Sequence, residues 1–264
     1  MQNRKYSFRR YKKFILPLII LLAVTEGAAL VCGATFGELY EGLFKGCAFL
    51  GNMFPPDWSA FSEMINPAIQ SITIAFLGTV FGALMSIVFA LLAAANLSNP
   101  WVRNITRFFI GLERSIPEIV ILILLVSAFG LGALPGVIAL SLGCIGMLGK
   151  LLADTIEEID PLMIEAIQSV GGNKLQVIFF GVLPQIIPTF ISYTLFRFEI
   201  NIRLSVLLGA VGAGGVGYEL DYSFGMLQYH RAFTALIIVI VMVFGTERMS
   251  YYLRKRMKLE GALK

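Results

Sequence analysis

Six apolar runs decide what this chain can fold into. They extend from Phe14 to about Ala34, Pro67 to about Ala95, Pro117 to about Gly130, Val137 to Leu152, Gln185 to Leu208, and Ala232 to about Tyr252. A helix needs about 20 predominantly apolar residues to cross the roughly 30 Å hydrocarbon layer of a bilayer. The third and fourth runs are shorter and carry Gly and Pro breaks, as helices inside a bundle do. Hydrophobic residues make up 57% of the 264 and charged residues only 14%, against about 25% charged in a soluble domain. No segment between the runs is long enough to bury a core of its own. The expectation is an all-α integral membrane protein with about six transmembrane helices, because a helix satisfies its own backbone polar groups in lipid.

Lys and Arg concentrate on the cytoplasmic side of membrane proteins, so the basic residues orient these helices. Arg4, Lys5, Arg9, Arg10, Lys12 and Lys13 precede the first run, and Arg103, Arg107 and Arg114 lie between the second and third. Lys150 and Lys174 mark the segment 153–184, and Arg254, Lys255, Arg256, Lys258 and Lys264 follow the sixth run. Six crossings with both termini in the cytoplasm put all of these on one side. Only Lys45 and Arg231 then fall outside, with Arg197 and Arg203 inside a run. A basic start before an apolar core also describes a signal peptide. This run is long and ends without a small-x-small site in a polar setting, so it reads as a retained first helix, with Glu26 inside it.

Two parts follow. Residues 1–66 hold the first helix and a long extracytoplasmic connection rich in Gly and aromatics. In it Pro55-Pro56 stops any helix, and Asp57-Trp58-Ser59 reads as a cap with an interfacial aromatic. Residues 67–264 form the transmembrane domain, with a cytoplasmic loop at 153–184. Gly78, Gly82, Ala83 and Ser86 give its first helix a small-residue face for close packing.

Composition also excludes classes. The net charge of +4 comes from basic residues beside apolar runs, which is a membrane-orientation signal and not a nucleic-acid one. Cys32, Cys47 and Cys144 are scattered without a CxxC and read as small apolar fillers. His230 is the only histidine, so no multi-histidine metal site forms within this chain. An intramembrane enzyme would need a nucleophile or metal constellation, and HExxH is absent. A secondary transporter, working through broken helices and coupling ions without a partner, stays open.

Glu165 to Pro184, EAIQSVGGNKLQVIFFGVLP, interrupts this membrane-like sequence. Helix formers on either side of Gly171-Gly172 predict two short helices with a bend between them. Ile164, Ile167, Gly171, Leu175, Ile178 and Val182 recur at three- and four-residue steps, one side that can pack on a partner. Pro184 marks a boundary before the next run. The stretch resembles the EAA loop of binding-protein-dependent ABC importer permeases. Glu165, Ala166, Gly171, Leu183 and Pro184 match that pattern at its spacing, while Ile167 replaces the second Ala and Gly181 the Ile. The resemblance implies a type I, MetI-like permease bundle whose loop docks into a groove on a separate ATPase subunit. Gly172 shares the bend. An ordinary amphipathic loop between two spans is the plainer alternative.

Two glycine motifs mimic nucleotide sites. Gly212-Ala-Gly214-Gly215-Val-Gly217 fits GxGxxG but lacks the strand and βαβ unit a dinucleotide needs. It reads as close-packed, flexible backbone near the outer mouth of a pathway. Gly143 to Lys150, GCIGMLGK, has five residues between its first and last Gly and Leu151 after Lys, so it is no P-loop.

The fifth run carries Arg197, Glu199, Asn201 and Arg203, and ionisable residues at membrane depth are functional candidates. Glu199 and Arg203 are i,i+4 and can pair, as are Arg197 and Asn201 on an adjacent face. If Glu199 neutralises Arg203, Arg197 is left as a positive charge suited to a small anion. The other reading is a polar cluster that locks helices together. FRFEINIR followed by LLGAVGAGGVGYEL resembles the phosphonate-importer permeases, as does MFPPDWS at 53–59. That branch includes carriers for phosphite and related phosphorus oxyanions, and related permeases import methionine. The resemblance implies a bacterial inner-membrane permease acting as a homodimer, two ATPase subunits that hold ATP and Mg, an extracytoplasmic substrate-binding protein, and no cofactor in this chain. It implies no nucleic-acid partner.

Overall fold

The computed structural model describes residues 8–34 and 36–256. Arg4, Lys5, Lys258 and Lys264 lie outside them. The chain divides into two compact units, residues 1–54 and 55–264, so that 55–66 fall with the second.

In the first unit, α1 (Phe8–Cys32) and α2 (Phe36–Asn52) are both helical. From Phe14 onward nearly every α1 side chain is exposed, including Leu16 and Leu22, as a helix facing lipid requires. The connection expected over 35–66 is therefore mostly helix. Leu39, Leu43 and Tyr40, Phe44 recur at i,i+4, with the two rings 4.8 Å apart, and Lys45 pairs with Glu41 one turn back at 2.9 Å. These contacts outweigh the helix-weakening glycines at 42, 46 and 51.

The second unit opens on a single 3₁₀ turn, Trp58–Ala60, capped by Asp57, whose carboxylate accepts from the Ser59 N–H (3.0 Å) and hydroxyl (2.5 Å). It then runs through α3 (Phe61–Ala93), α4 (Pro100–Arg114), α5 (Glu118–Phe129), α6 (Ala133–Glu157), α7 (Pro161–Ser169), the single turn α8 (Lys174–Gln176), α9 (Leu183–Leu208), α10 (Val216–Gly225) and α11 (Tyr229–Arg256). α3 begins at Phe61 and carries Pro67 inside it, which bundle helices tolerate because neighbours re-satisfy the freed backbone groups. α6 is longer than the short fourth run predicts. Among the described residues, five helical stretches are long and apolar enough to cross a membrane, within Phe14–Cys32, Trp58–Ala93, Ala133–Glu157, Lys174–Ala213 and Tyr229–Arg256. α5 has 12 residues, about 18 Å of helix, and cannot cross alone.

α3 and α6 pack most closely. A Cβ on Gly78 would stand 2.7 Å from Leu140 Cβ, and one on Gly82 would overlap Cys144 Cβ and lie 2.6 Å from the Ser141 carbonyl oxygen. The Ser86 hydroxyl, one turn further on, lies 3.1 Å from the Cys144 carbonyl oxygen. Small residues at this spacing let two backbones approach where lipid offers no hydrophobic drive to association.

Two apolar clusters fill the bundle. One joins Met64, Ile74, Leu122, Leu140, Ile202, Leu208 and Met242. The other joins Ala90, Ile110, Leu148, Leu152, Ile156, Ile164, Val182 and Ile186, toward the end that bears α7. Thr79 of α3 and Arg197 and Asn201 of α9 are buried polar residues where the two clusters meet.

Candidate functional site

The loop between α6 and α9 is built by local capping. Asp160 accepts from the Leu162 N–H at 2.9 Å and Pro161 takes the first helical position, which starts α7. α7 ends in a Schellman motif: Gly172 N–H reaches Ile167 O at 2.9 Å and Gly171 N–H reaches Gln168 O at 3.0 Å. Gly171 has φ +82°, the left-handed region that glycine enters without strain. Asn173 restarts the chain with a capping box to Gln176.

The bend predicted at Gly171-Gly172 is thus present, and Pro184 stands at the second position of α9, a boundary that the helical winding crosses without a break. α8 winds through a π-helical stretch, Val177–Val182, straight into α9, and the Leu183 N–H bonds the Ile178 carbonyl five residues back. Pro184 lacks an N–H and its ring would crowd the carbonyl one α-turn earlier, and the wider π winding relieves that clash.

The stripe read as one partner-facing side splits. Ile164 and Val182 are buried in the chain's own core, with Val177 beside them. Ile167 and Ile178 are half-buried, while Leu175 is exposed. Glu165 and Ala166 face outward, with Leu162, Val170 and Leu175 between 66% and 83% exposed. This part of the loop presents apolar side chains around a free carboxylate.

The second site lies where α4 gives way to α5. The segment 96–115, expected as a loop, holds the amphipathic helix α4, capped by Asn99 with Pro100 at its first position. Its contacts step backward along α6: Ile110 meets Gly149, Glu113 meets Gly146, and Glu118 meets Gly143. α4 and α5 together accompany α6 as one helix interrupted at Ser115-Ile116-Pro117. Pro117 causes the break, since it has no N–H to donate and restricts the residue before it.

At that break sits a cavity of about 260 Å³ lined by Glu113 to Glu118, Gly143, Met147 and Arg197. Arg197, 4% exposed, places Nη2 3.2 Å from Glu118 Oε1 and Nη1 3.6 Å from Met147 Sδ, and its Nε has no partner. A Cβ on Gly143 would lie 3.0 Å from Glu118 Cγ, and one on Gly146 would overlap the Glu113 carboxylate. The glycines of the false P-loop are therefore the helical floor under this ion cluster. Burial pushes the Glu113 carboxyl up to about 7, against the opposing pull of Arg197.

The pairing expected between Glu199 and Arg203 does not form. Glu199 stands 2.8 Å from Arg254, without hydrogen-bond alignment, and Arg203 pairs with Glu247. α9 turns these two charges to α11 and turns Arg197 and Asn201 the other way, toward α5, α6 and α3, so each side chain finds its partner on another helix. Arg197 is not left uncompensated, because Glu118 faces it. Asn201, fully buried, donates to Thr79 Oγ1 at 2.9 Å and Cys144 Sγ at 3.3 Å, tying three helices. Glu113 and Glu118 were missed by sequence reading. Their only signal was two carboxylates flanking Ser-Ile-Pro at the start of an apolar run.

The glycine motif at 212–217 is the turn between α9 and α10. Gly212, Gly214 and Gly215 all have positive φ, and Gly217 packs against the Val206 carbonyl with no room for a side chain. Gln70 and Ser71 of α3 accept from the N–H groups of Gly215 and Val216, each at 3.0 Å. A cleft of about 470 Å³ lined by Leu131, Gly212, Gly214, Tyr218 and Asp221 opens beside the turn.

An all-helical bundle with long apolar helices, a capped and exposed two-helix loop, and a charged break inside the bundle defines a multi-pass membrane protein. Residues 86–259 match the family described as binding-protein-dependent transport system inner membrane component, and the chain belongs to that family. It is 38% identical over 221 residues to the phosphite transport system permease protein PtxC of Stutzerimonas stutzeri, covering 83% of this chain and 80% of that one. It is likewise 38% identical over 221 residues to the phosphate-import permease protein PhnE of Mycolicibacterium smegmatis, covering 83% of this chain and 42% of that one. The fold is shared with the MetNI methionine ABC transporter in an inward-facing conformation, with TM-score 0.65 and 18% identity, over 76% of this chain and 99% of that one. This chain is therefore a multi-pass inner-membrane component of a transport system.

Proposed function

We propose that this chain is the permease subunit of an ATP-driven importer that moves phosphonates, or closely related phosphorus oxyanions such as phosphite, into the cytoplasm. The observation that carries this reading is the 38% identity with the phosphite permease across 83% of the chain. Two copies around a two-fold axis present two α7–α8 loops to two ATPase subunits, which bind ATP and Mg. This chain holds no cofactor. Both termini lie in the cytoplasm, and an extracytoplasmic binding protein delivers substrate to the mouth near 209–222. Arg197, paired with Glu118, borders the path, while Glu199, Asn201 and Arg203 hold α9 against its neighbours.

The loop's build supports the coupling role. Its outward face carries Leu162, Glu165, Ala166, Val170 and Leu175, a surface that fits a groove on the ATPase. Closure of the ATPase pair around ATP pulls both loops together. Because α8, the π stretch and α9 are continuous, that displacement passes directly into a spanning helix. A strain lacking the gene is grown on methylphosphonate, 2-aminoethylphosphonate or phosphite as sole phosphorus source, with phosphate as the control medium. Growth failure confined to the phosphonate or phosphite media, and rescued by the wild-type gene, is expected. Normal growth of the deletion strain on every medium, in a background with no second such permease, would overturn the substrate assignment. Failure of the chain to co-purify with an ATPase would point instead to a secondary transporter.

A further inference from the structure

Arg107 stands where two helix ends meet. α3 and α6 run parallel, with Gly82 against Cys144, Phe89 against Gly149, and the Ala95 N–H 2.5 Å from the Glu157 carboxylate. Their C-termini therefore emerge side by side, each with unsatisfied carbonyls and a partial negative charge. Arg107 of α4 reaches between them. Its Nε donates to the Ala93 carbonyl at 2.9 Å and its Nη2 to the Glu157 carboxylate. Asn96, in the turn between α3 and α4, donates to the Ile156 carbonyl at 2.7 Å. α3, α4 and α6 are thus tied at one point. A partly exposed ion pair adds little stability by itself, but this one fastens α4 to the last residue of α6.

That residue is separated from α7 by residues 158–160 alone. The turn between α3 and α4 stands off from the same loop, since a cavity of about 140 Å³ lies between Asn96 and Leu97 on one side and Gln168, Gly172 and Lys174 on the other. The loop has room to shift against the turn, whereas α4 and α6 are held together. From Arg107, α4 follows α6 for about 10 Å to Arg114. There it reaches the break at Ser115-Ile116-Pro117, beyond which Glu118 faces Arg197. Residues at the end of an element, as these are, absorb changes of φ and ψ.

We infer that Arg107 and Glu157 are positioning residues that carry displacement of the α7–α8 loop, through the end of α6, into α4 and so to the charged break. The inference rests on the coupling role proposed for the loop. When α7 is drawn toward an ATPase subunit, the last turn of α6 follows and Arg107 makes α4 follow it. The flexing falls on 115–117, because α5 is held beyond them by Glu118 on Arg197 and by Leu122 in the core. Without the tie, α4 keeps apolar contacts such as Ile110 on Gly149, which let one helix slide on another. Two routes from one loop then converge on a single ion pair: α9 carries Arg197, and α4 with α5 carries Glu118.

The complete transporter, with its ATPase subunits and binding protein, is reconstituted in lipid. The Ser115 and Ile116 N–H groups, bonded to the Leu112 and Glu113 carbonyls at 3.1 and 3.0 Å, report on the break. In the wild type, a non-hydrolysable ATP analogue should change hydrogen exchange in the peptides spanning 112–118 and 165–176. Arg107→Met keeps the packing of the stem and loses the tie. Glu157→Gln keeps the side-chain shape and the bond from Ala95 while removing the charge pair, so it serves if Arg107→Met does not assemble. Both should keep basal ATPase activity and the response at 165–176 but lose the response at 112–118. Methylphosphonate imported per ATP hydrolysed should fall roughly tenfold in Arg107→Met and roughly threefold in Glu157→Gln. A clamp that served stability alone would lower Tm and leave both the 112–118 response and the import ratio intact, and that result overturns the inference. So does a wild type with no response at 112–118. Gly171→Pro is assayed in parallel: normal coupling in it, or no methylphosphonate import by the wild type, strikes the reading beneath, whereas uncoupling in Gly171→Pro with normal Arg107 and Glu157 variants defeats this inference alone.

Discussion

Gly171 offers a clean test of the loop, because nothing lies within 4 Å of a Cβ placed on it while its φ is +82°. An alanine there meets no neighbour and suffers only left-handed backbone strain, about 1–2 kcal/mol. That corresponds to roughly a 5–30-fold change in the population of the closed Schellman turn. Asparagine, which enters the left-handed region more readily, should cost much less. Proline is excluded twice, since it fixes φ near −65° and removes the N–H that Gln168 accepts at 3.0 Å. The amide of Gly172, bonded to Ile167 O at 2.9 Å, reports on the turn directly. Hydrogen exchange of the peptide spanning 165–176 should accelerate by roughly 5–30-fold in Gly171→Ala, little in Gly171→Asn, and most in Gly171→Pro. Binding-protein-stimulated ATPase activity and uptake should fall in the same order. Equal exchange in the alanine and asparagine variants would show that backbone strain is not what holds the turn. Normal coupled turnover in Gly171→Pro would remove the loop from the transmission path.

Two further outcomes follow from packing and charge. Gly82→Ala drives a methyl into Cys144 and toward the Ser141 carbonyl, an overpacking cost of about 1–3 kcal/mol, seen as a lower Tm of the purified complex. Gly245→Ala, in α11 with nothing within 4 Å, should hold or raise Tm through helix propensity, and the reverse ranking would refute the close α3–α6 approach. Glu113 is raised from 4.5 to about 7 in the folded chain, so between those values the folded state holds more protons than the unfolded one. Its contribution is therefore fully present below the lower value and is lost as pH rises through the higher one. Tm measured from about pH 5 to about pH 8 should fall more steeply in wild type than in Glu113→Gln, and parallel curves would contradict the burial of that carboxyl.

The long spans were legible because lipid imposes a simple demand on length and apolarity, which α3, α9 and α11 meet. Their ends were less so: Pro67 looks like a boundary but sits inside α3, and Pro184 marks the start of α9 without breaking the winding that enters it. α2 and α4 were read as connections because glycines in one and arginines in the other mask a helical period. The caps at Asp57, Asp160 and Asn173 follow from local chemistry and could be anticipated in kind. The ion pairs could not, because proximity along the chain suggested Glu199 with Arg203, whereas Glu118 lies 79 residues from Arg197. Which charges meet is a property of helix packing. The false P-loop shows the converse, since Gly143 and Gly146 were conspicuous in sequence but their purpose depends on two acidic side chains from another part of the chain.

The π-helical stretch at 177–182 has one more implication. Such a turn is an α-helix with a single residue inserted and taken up locally, so the helix beyond keeps its rotational setting. Elsewhere in α9 an added residue would swing everything downstream by about 100° and carry Arg197 and Asn201 off α6. Here the spare residue is stored at the join between the exposed loop and the span. Changes of length in this part of the loop can arise and persist while the charged face inside the bundle stays aimed where it was, so this join lets the exposed loop and the buried charged face diverge separately.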